Sequence, residues 1–335
     1  MPSPVLQDVH VSAALTNVSV AYFQDEDNFI ADKVFPAVPV VHQTDQYFVW
    51  NIGDFYRDDA QLRADAAESA GTGFNLTTQT YSANVYALHK DIGAQVRANA
   101  DPAIDIDVTT TRSLMQKLLI KRDRIFVSKF MTTGLWTGGT SGTDIVGTAG
   151  GTPGTTTPPK WSDDANGDPF TDIATQQASI LTNTGFWPNV LVLGFNVYNA
   201  LKKHPLVIDR IKYTSQPDAK NVTPGLLAAL FDVDEVIVSK AVYNSAAEGL
   251  SASNAFVLGN HALLAYKAKA PTLNEPSAGY LFAWQGFTGL NNIGIRANQI
   301  PMNWLGIGTI RDEVEMAFDM QVVASLLGVF FSNIA

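Results

Sequence analysis

The chain is predicted to fold as an α+β protein, and three stretches of its sequence carry that prediction. Between residues 104 and 130, apolar residues at Ile104, Val108, Met115, Leu118, Leu119, Ile125, Phe126 and Phe130 follow three-and-four spacing. That is the period of a helix with one buried face. Between residues 190 and 239, short apolar runs alternate with short helical patterns, as in a mixed domain built from small strand–helix units. From Tyr280 onward the chain reads mainly as strands.

Taken in order, residues 1–53 do not read as a compact unit. Pro2, Pro4, Pro36 and Pro39 punctuate them, and proline favours extended backbone and removes a donor. Seven aromatics (Tyr22, Phe23, Phe29, Phe35, Tyr47, Phe48, Trp50) argue for an arm laid across another surface, because disordered segments are poor in aromatics. Residues 54–92 are expected to form a long hairpin. It would have a polar, Ala-rich outgoing limb, a turn at Gly71-Thr72-Gly73 and a Thr/Tyr/Val-rich returning limb. Neither limb has the apolar content for a core of its own, so the hairpin needs a neighbour for support.

The strongest helix signal runs from Asp101 to Thr133, about 50 Å long at 1.5 Å per residue. Asp101 suits the N-cap and Pro102 the first helical position. Asp105 and Asp107 lie near the start and bases dominate later, as the macrodipole favours, and Gly134 is a natural stop. The Gly/Thr/Pro-rich stretch from Gly134 to Lys160 reads as a flexible loop. A second helix follows, ending near Gly185. Val190 to Leu193 reads as a buried strand. Asn196 is expected to cap a helix carrying Val197, Tyr198 and Leu201, which His204-Pro205 ends. Thr223 and Pro224 open another short helix, and Val236 to Val238 form a strand. "NAFVLGNHALLAYK" reads as one further strand, and Val322 to Ile334 as a nearly uncharged buried edge. No repeat of fixed period is present.

Composition narrows the function classes. The chain has 335 residues, 46% of them hydrophobic and only 16% charged. So few charges suggest a surface largely taken up by subunit contacts. A formal net charge of -10 argues against a protein selected to hold nucleic acid phosphates tightly. The absence of cysteine excludes disulfides, thiolate nucleophiles and cysteine-ligated metals. Residues 1–10 show no basic region followed by an apolar stretch, and Val322 to Phe331 is too short to span a bilayer, so a soluble protein made in a cytoplasm is expected.

Motifs that carry chemistry are scarce. The five histidines (His10, His42, His89, His204, His261) have no paired spacing, and structural or surface roles fit them better than metal or base roles. Asp232, Asp234 and Glu235 lie close in sequence, but without an EF-hand pattern they read as a solvated turn. Asp58-Asp59 is a charged loop pair by the same reasoning. The Gly-rich loop lacks the Gly-Lys-Ser/Thr ending of a phosphate-binding loop, and no nucleophile elbow or dinucleotide fingerprint is present. No catalytic residue, metal or cofactor is expected. The one charge bias lies on the long helix, where Arg112, Lys117, Lys121, Arg122, Arg124 and Lys129 are opposed only by Asp123. A solvated helix face is one reading. The other is a modest basic strip that contacts phosphates or acidic partners.

The order of the parts, together with "NVLVLGFNVYNALKKHPLVIDRIK" (Asn189 to Lys212) and "TPGLLAALFDVDEVIVSKAVYN", resembles the major capsid proteins of tailed bacteriophages, the Hong Kong 97 type fold. The layout covers nearly the whole chain and the sharp motif about fifty residues. The resemblance implies an N-terminal arm (1–53), an extended loop lying over a neighbouring subunit (54–92), and a peripheral domain (93–185) with a spine helix (101–133). It also implies an axial domain (186–280), return strands of the peripheral domain (281–320) and an axial tail (321–335). The function it implies is a structural protein of the virion, assembled in the host cytoplasm as hexamers and pentamers of an icosahedral head around double-stranded DNA. The implied partners are further copies of itself, portal, a separate scaffolding protein, a decoration or cement protein, and DNA held through weak non-specific contacts. Expected contact residues are the hairpin tip (Ala70, Gly71, Thr72, Gly73, Phe74) and Lys202, Lys203 and Arg210. The basic strip on the long helix would face DNA.

Two departures from the family pattern carry expectations. No lysine occurs between Lys33 and Lys90, so the loop crosslink made by some members is not expected. Only about fifty residues precede the hairpin, which leaves no room for a long cleaved scaffolding segment. An encapsulin-like shell shares the layout and is the alternative. A soluble hydrolase or binding domain built on Asp232, Asp234 and Glu235 is a third reading from a different class.

Overall fold

The computed structural model describes residues 23–100, 106–212, 222–270 and 275–335. The first strands are β1 (Ala37–Val40), β2 (Thr44–Trp50), β3 (Leu76–Ser82), β4 (Asn84–Ile92) and β5 (Ile145–Val146). They are followed by β6 (Val190–Gly194), β7 (Glu235–Ser239), β8 (Val242–Asn244), β9 (Asn254–Phe256) and β10 (Ala262–Ala265). The last are β11 (Gly279–Trp284), β12 (Arg296–Pro301), β13 (Ile310–Val322) and β14 (Gly328–Ser332). The principal helices are α1 (Ile106–Phe130), α2 (Pro169–Thr184), α3 (Phe195–Lys203), α4 (Pro205–Lys212) and α5 (Pro224–Leu230).

Among the described residues, two five-stranded sheets organise the fold. The first is centred on β13, which pairs with β4 along Ile310 to Phe318, with β12 along Ile310 to Glu315 and with β11 along Phe318 to Val322, all antiparallel. β1 adds to β11 in parallel. Alternate residues Val314, Met316, Phe318 and Met320 point into one core with Leu114, Leu118, Phe126 and Phe130 of α1, as the period of two requires. α1 is therefore the long helix that the spacing predicts, 25 residues and about 37 Å long in its described part. Its expected cap, Asp101-Pro102, lies outside the described residues. At the other end the Phe130 carbonyl accepts the Trp136 indole N–H at 2.6 Å, which satisfies one of the carbonyls a helix terminus leaves open.

The second sheet runs β5-β14-β10-β6-β7. Both of its faces are buried. Val190, Val192, Ile237, Leu263 and Phe330 face the core shared with α1, and Leu191, Leu193, Val236, Leu264 and Phe331 face a second core under α2 to α5. This explains the unbroken apolar run at the start of the 190–212 motif, because a strand covered on both sides needs no polar face. Thr223 caps α5 through its hydroxyl as expected, accepting the Leu226 N–H.

Several expectations need correction. The hairpin pairs β2 with β3, so its outgoing strand lies before residue 54, and β4 belongs to the first sheet. The Ala-rich segment 56–75 contributes no strand. The stretch from Gly134 to Lys160 is tied to the second sheet and is no loose insertion. β5 pairs with Phe331 and Ser332, and Trp136 and Trp161 are fully buried. Its glycines permit close backbone approach. A Cβ on Gly138 would fall 2.3 Å from the Leu326 carbonyl oxygen, and one on Gly151 would fall 2.0 Å from that of Thr157. Ile145, Trp161, Phe170, Ile173 and Ile180 all belong to the second core. The second core therefore draws on residues between 145 and 180 as well as on the 190–212 motif. Asn196 does not cap α3. The N-cap is Gly194, and the Asn196 amide donates to Asn260 Oδ1 at 2.8 Å. "NAFVLGNHALLAYK" holds two strands, β9 and β10, in different sheets. β14 is an interior strand between β5 and β10, not an edge.

Candidate assembly surfaces

The β2–β3 ladder runs from Thr44 opposite Ser82 to Trp50 opposite Leu76. Its root is fixed to the first sheet. Tyr81 stacks on Phe282 at 4.6 Å, Tyr47 packs on the same ring at 5.3 Å, and the Ser82 N–H donates to Asp319 Oδ2 at 2.9 Å. Burial and the nearby Asp319 carboxylate raise the Tyr47 phenol above its ordinary value. Beyond Trp50 the chain makes an excursion back to Leu76. Asn51 caps a single helical turn, Ile52–Phe55. Asp54 accepts the Asn75 N–H at 2.9 Å and Asp59 accepts the Thr72 hydroxyl at 2.7 Å.

These polar ties gather three aromatic rings. Trp50 lies 5.9 Å from Phe55 and 5.3 Å from Phe74, and Phe55 and Phe74 stack at 6.2 Å. All three stay exposed, Phe74 at 62%, and Phe48 and Leu62 of the same stretch of chain are exposed as well. An apolar cluster that the fold assembles and does not cover marks an interaction site. Of the five residues expected at the tip, Ala70, Gly71, Thr72, Gly73 and Phe74 are all exposed. The Asp59–Thr72 contact places the true far end between those two residues, so Phe74 belongs to the neck.

A second surface escaped the sequence reading. Between β12 and β13, Trp304 is 74% and Ile307 92% exposed, with Leu305 beside them. No charged residue occurs between Arg296 and Arg311. The usable signal was a bulky apolar run, Trp304-Leu305-Gly306-Ile307, set between two strands with glycines.

No family model matches the sequence. The chain is 24% identical over 332 residues to the major capsid protein of Pseudomonas phage JBD67, covering 96% of each. Its fold is similar to that of a phage-related protein from Bordetella bronchiseptica RB50 (TM-score 0.65, 20% identity, 93% of this chain and 94% of that one). It is also similar to the capsid structure of cyanophage P-SCSP1u (TM-score 0.58, 11% identity, 97% and 93%). The chain belongs to the tailed-phage major capsid proteins of the Hong Kong 97 type.

In this capsid protein the basic residues of α1 do not form one strip. Arg112, Lys117, Lys121, Arg124 and Lys129 are exposed, but Arg122 is buried. Its guanidinium pairs with Asp32 at 3.2 Å and donates to the Ile293 carbonyl at 3.2 Å, so Arg122 cannot reach DNA. Lys121 stands 5.9 Å from the Tyr86 ring and Arg124 4.7 Å from the Tyr243 ring. Asp123, read as the lone acid on this face, is buried under the arm. On α3 and α4, Lys202, Lys203 and Arg210 are exposed. Lys202 stands 5.4 Å from the Tyr198 ring and Arg210 3.6 Å from Phe170.

The carboxylates of the third reading do not converge. Glu235 pairs with Lys267 at 2.8 Å, while Asp232 takes a left-handed turn (φ 52°) and offers its carbonyl to Trp187. Among the described residues no group of three His, Asp or Glu could hold a metal ion. His204 is buried and accepts the Leu206 N–H through Nδ1, and His261 accepts the Asn333 N–H likewise. His10 lies outside the described residues. Also among the described residues, no helix is long and apolar enough to cross a membrane.

Proposed function

We propose that this capsid protein assembles, in the host cytoplasm, into hexamers and pentamers that close an icosahedral tailed-phage head around double-stranded DNA. The observation that carries the reading is the Trp50–Phe55–Phe74 cluster, held open at the neck of a hairpin with no core of its own. A neighbouring subunit supplies the missing cover. The unit around α1 and the first sheet acts as the peripheral domain. The doubly covered second sheet with α2 to α5 acts as the axial domain, presenting Lys202, Lys203 and Arg210 toward neighbouring copies. Each contact joins two different patches, so rotational symmetry is needed to close the shell. Arg112, Lys117, Lys121, Arg124 and Lys129 are the bases available for weak contact with DNA. Net charge of -10 keeps such contact slight. Portal, a separate scaffolding protein and a decoration protein are the further partners of such a head, and no enzymatic step belongs to this role.

Negative-stain imaging with sedimentation of the native material tests the proposal. Closed shells tens of nanometres across that contain DNA are expected. Shells filled with protein cargo would instead favour an encapsulin-like compartment. A small discrete oligomer, persisting when neighbouring genes are co-expressed, would overturn both.

A further inference from the structure

The arm residues 24–35 bridge the two halves of the molecule. On one side they meet α1. Asp123, 1% exposed, accepts the Ile30 N–H through Oδ2 at 3.1 Å and the Ala31 N–H through Oδ1 at 3.0 Å. The neighbouring Arg122 pairs with Asp32, and Phe35 packs on Phe130 at 4.8 Å. On the other side they meet the second half. The Gln24 amide donates to the Val242 carbonyl at 2.6 Å and accepts the Val242 N–H at 2.9 Å, as a paired strand would. The Asn28 carbonyl accepts the Lys240 N–H at 3.3 Å, and the Lys33 carbonyl accepts Lys267 Nζ at 3.2 Å.

We propose that residues 24–35 are a releasable strap, seated on α1 by Arg122 and Asp123, that fixes one half of the molecule against the other. The inference rests on contacts within one chain and does not depend on how copies assemble. Its weak point is the buried carboxyl. Two backbone donors favour the carboxylate, but loss of water outweighs them and raises Asp123 to about 6. The charged groups that bear on it are Arg122 on its own helix and Asp32 on the strap. The segment around Ile293 brings only a carbonyl, to Arg122. The second half's Lys267–Glu235 pair reaches only the Lys33 carbonyl.

The sign follows from linkage. With the strap seated the carboxyl binds its proton near pH 6, and with the strap released, in water, it binds near its ordinary 3.8. The seated form therefore holds the proton more tightly, and the strap closes as pH falls and loosens as pH rises through 6. Between pH 5.0 and 7.5 the open fraction rises about tenfold.

Hydrogen exchange of the full chain, corrected for the intrinsic effect of pH, tests this. The Ile30, Ala31, Lys240 and Val242 amides are expected to exchange together at protection well below that of Leu263 and Leu264 of β10, and to lose that protection about tenfold from pH 5.0 to 7.5. Asp123→Asn removes the titrating group and is expected to remove that pH dependence. If the variant does not fold, the unaltered chain still decides. Strap amides whose protection is independent of pH, or follows β10, would overturn the proposal. So would release of Ile30 and Ala31 without Lys240 and Val242.

Discussion

The Trp161 indole donates to Asp172 Oδ2 at 2.8 Å, and both residues are buried. Asp172 Oδ1 accepts the Gly154 N–H at 2.6 Å, so one carboxylate ties both the Gly/Thr/Pro-rich segment and the Trp161 that follows it to α2. Asp172→Ala leaves two donors without a partner in a closed site. A loss of about 1–3 kcal/mol of unfolding free energy is expected, read from denaturant titration of unassembled subunits.

The same carboxyl has a pH signature. Burial raises Asp172 to about 6, above its ordinary 3.8. The folded chain thus binds this proton more tightly than the unfolded one. Its contribution to stability is fully present below about pH 4 and is lost as pH rises through 6. Compared with Asp172→Asn, the unaltered protein is expected to gain stability as pH falls from 7 to 5. A difference that stays flat over that range would show that the carboxyl does not titrate there.

Gly194 stands where β6 turns into α3. A Cβ there would lie 2.1 Å from the Gly259 carbonyl oxygen and 2.4 Å from that of Leu258. Both obstacles are backbone, which cannot turn aside as a side chain can. Gly194→Ala is expected to cost about 1–3 kcal/mol, seen as a lower Tm. Gly225→Ala, with nothing within 4 Å of the new Cβ, serves as the control.

What the sequence made legible depends on whether a residue's partners are close in the chain. The spacing from Val108 to Phe130 and the Thr223 cap report local geometry, and both appear where expected. The apolar run Val190–Gly194 announced a buried strand, because burial on two faces leaves no other composition stable. Long-range choices were not legible. β2 rather than residues 54–70 pairs with β3, and nothing local distinguishes an exposed polar limb that pairs from one that does not. Glycine and threonine at 134–160 looked like flexibility, yet the glycines make room for backbone brought from residues 326 and 157. Arg122 and Lys121 are adjacent in sequence and both cationic. Only the path of the arm decides that Arg122 is buried against Asp32 while Lys121 is exposed. For the assembly surfaces, the hairpin was legible from its want of a core, whereas a short apolar run such as Trp304–Ile307 reads the same whether the fold buries it or leaves it exposed.

The aromatic neck separates folding from assembly. Trp50, Phe55 and Phe74 are all exposed in the single chain and touch mainly one another, so Trp50→Ala with Phe74→Ala is expected to cost the subunit about 1 kcal/mol. Circular dichroism and Tm would then hardly change. Sedimentation is expected to show loss of shells, because the exposed cluster has no other cover. Normal shells from the double variant would remove this surface from the assembly interface.

The tip between β12 and β13 allows a similar separation with a different substitution. Ile307 is 92% exposed and Gly308 turns the chain with φ 82°, so Ile307→Asp introduces a solvated charge without disturbing a core. An unchanged Tm and a lower yield of closed particles are expected if copies meet at this tip, since an unpaired charge at an apolar contact is costly. Equal yields would assign the exposure of Trp304, Leu305 and Ile307 to something other than contact between copies.

Covalent locking is a separate matter from contact. The hairpin excursion carries no lysine, the nearest being Lys33 and Lys90. Lys90 lies inside β4, paired with Asp312 of β13, where burial and Lys117 lower its pKa. It sits in the first sheet and not on the part of the hairpin that reaches outward. An amide crosslink needs an amine nucleophile on that reaching part, and none is available there. Boiled denaturing gels of mature particles are therefore expected to show this protein as a single monomer band. A ladder of multimers that resists reductant and heat would mean that a lysine elsewhere, such as Lys202 or Lys203 on the exposed end of α3, is brought to a neighbour's acceptor. Peptide mass mapping of the ladder would identify which.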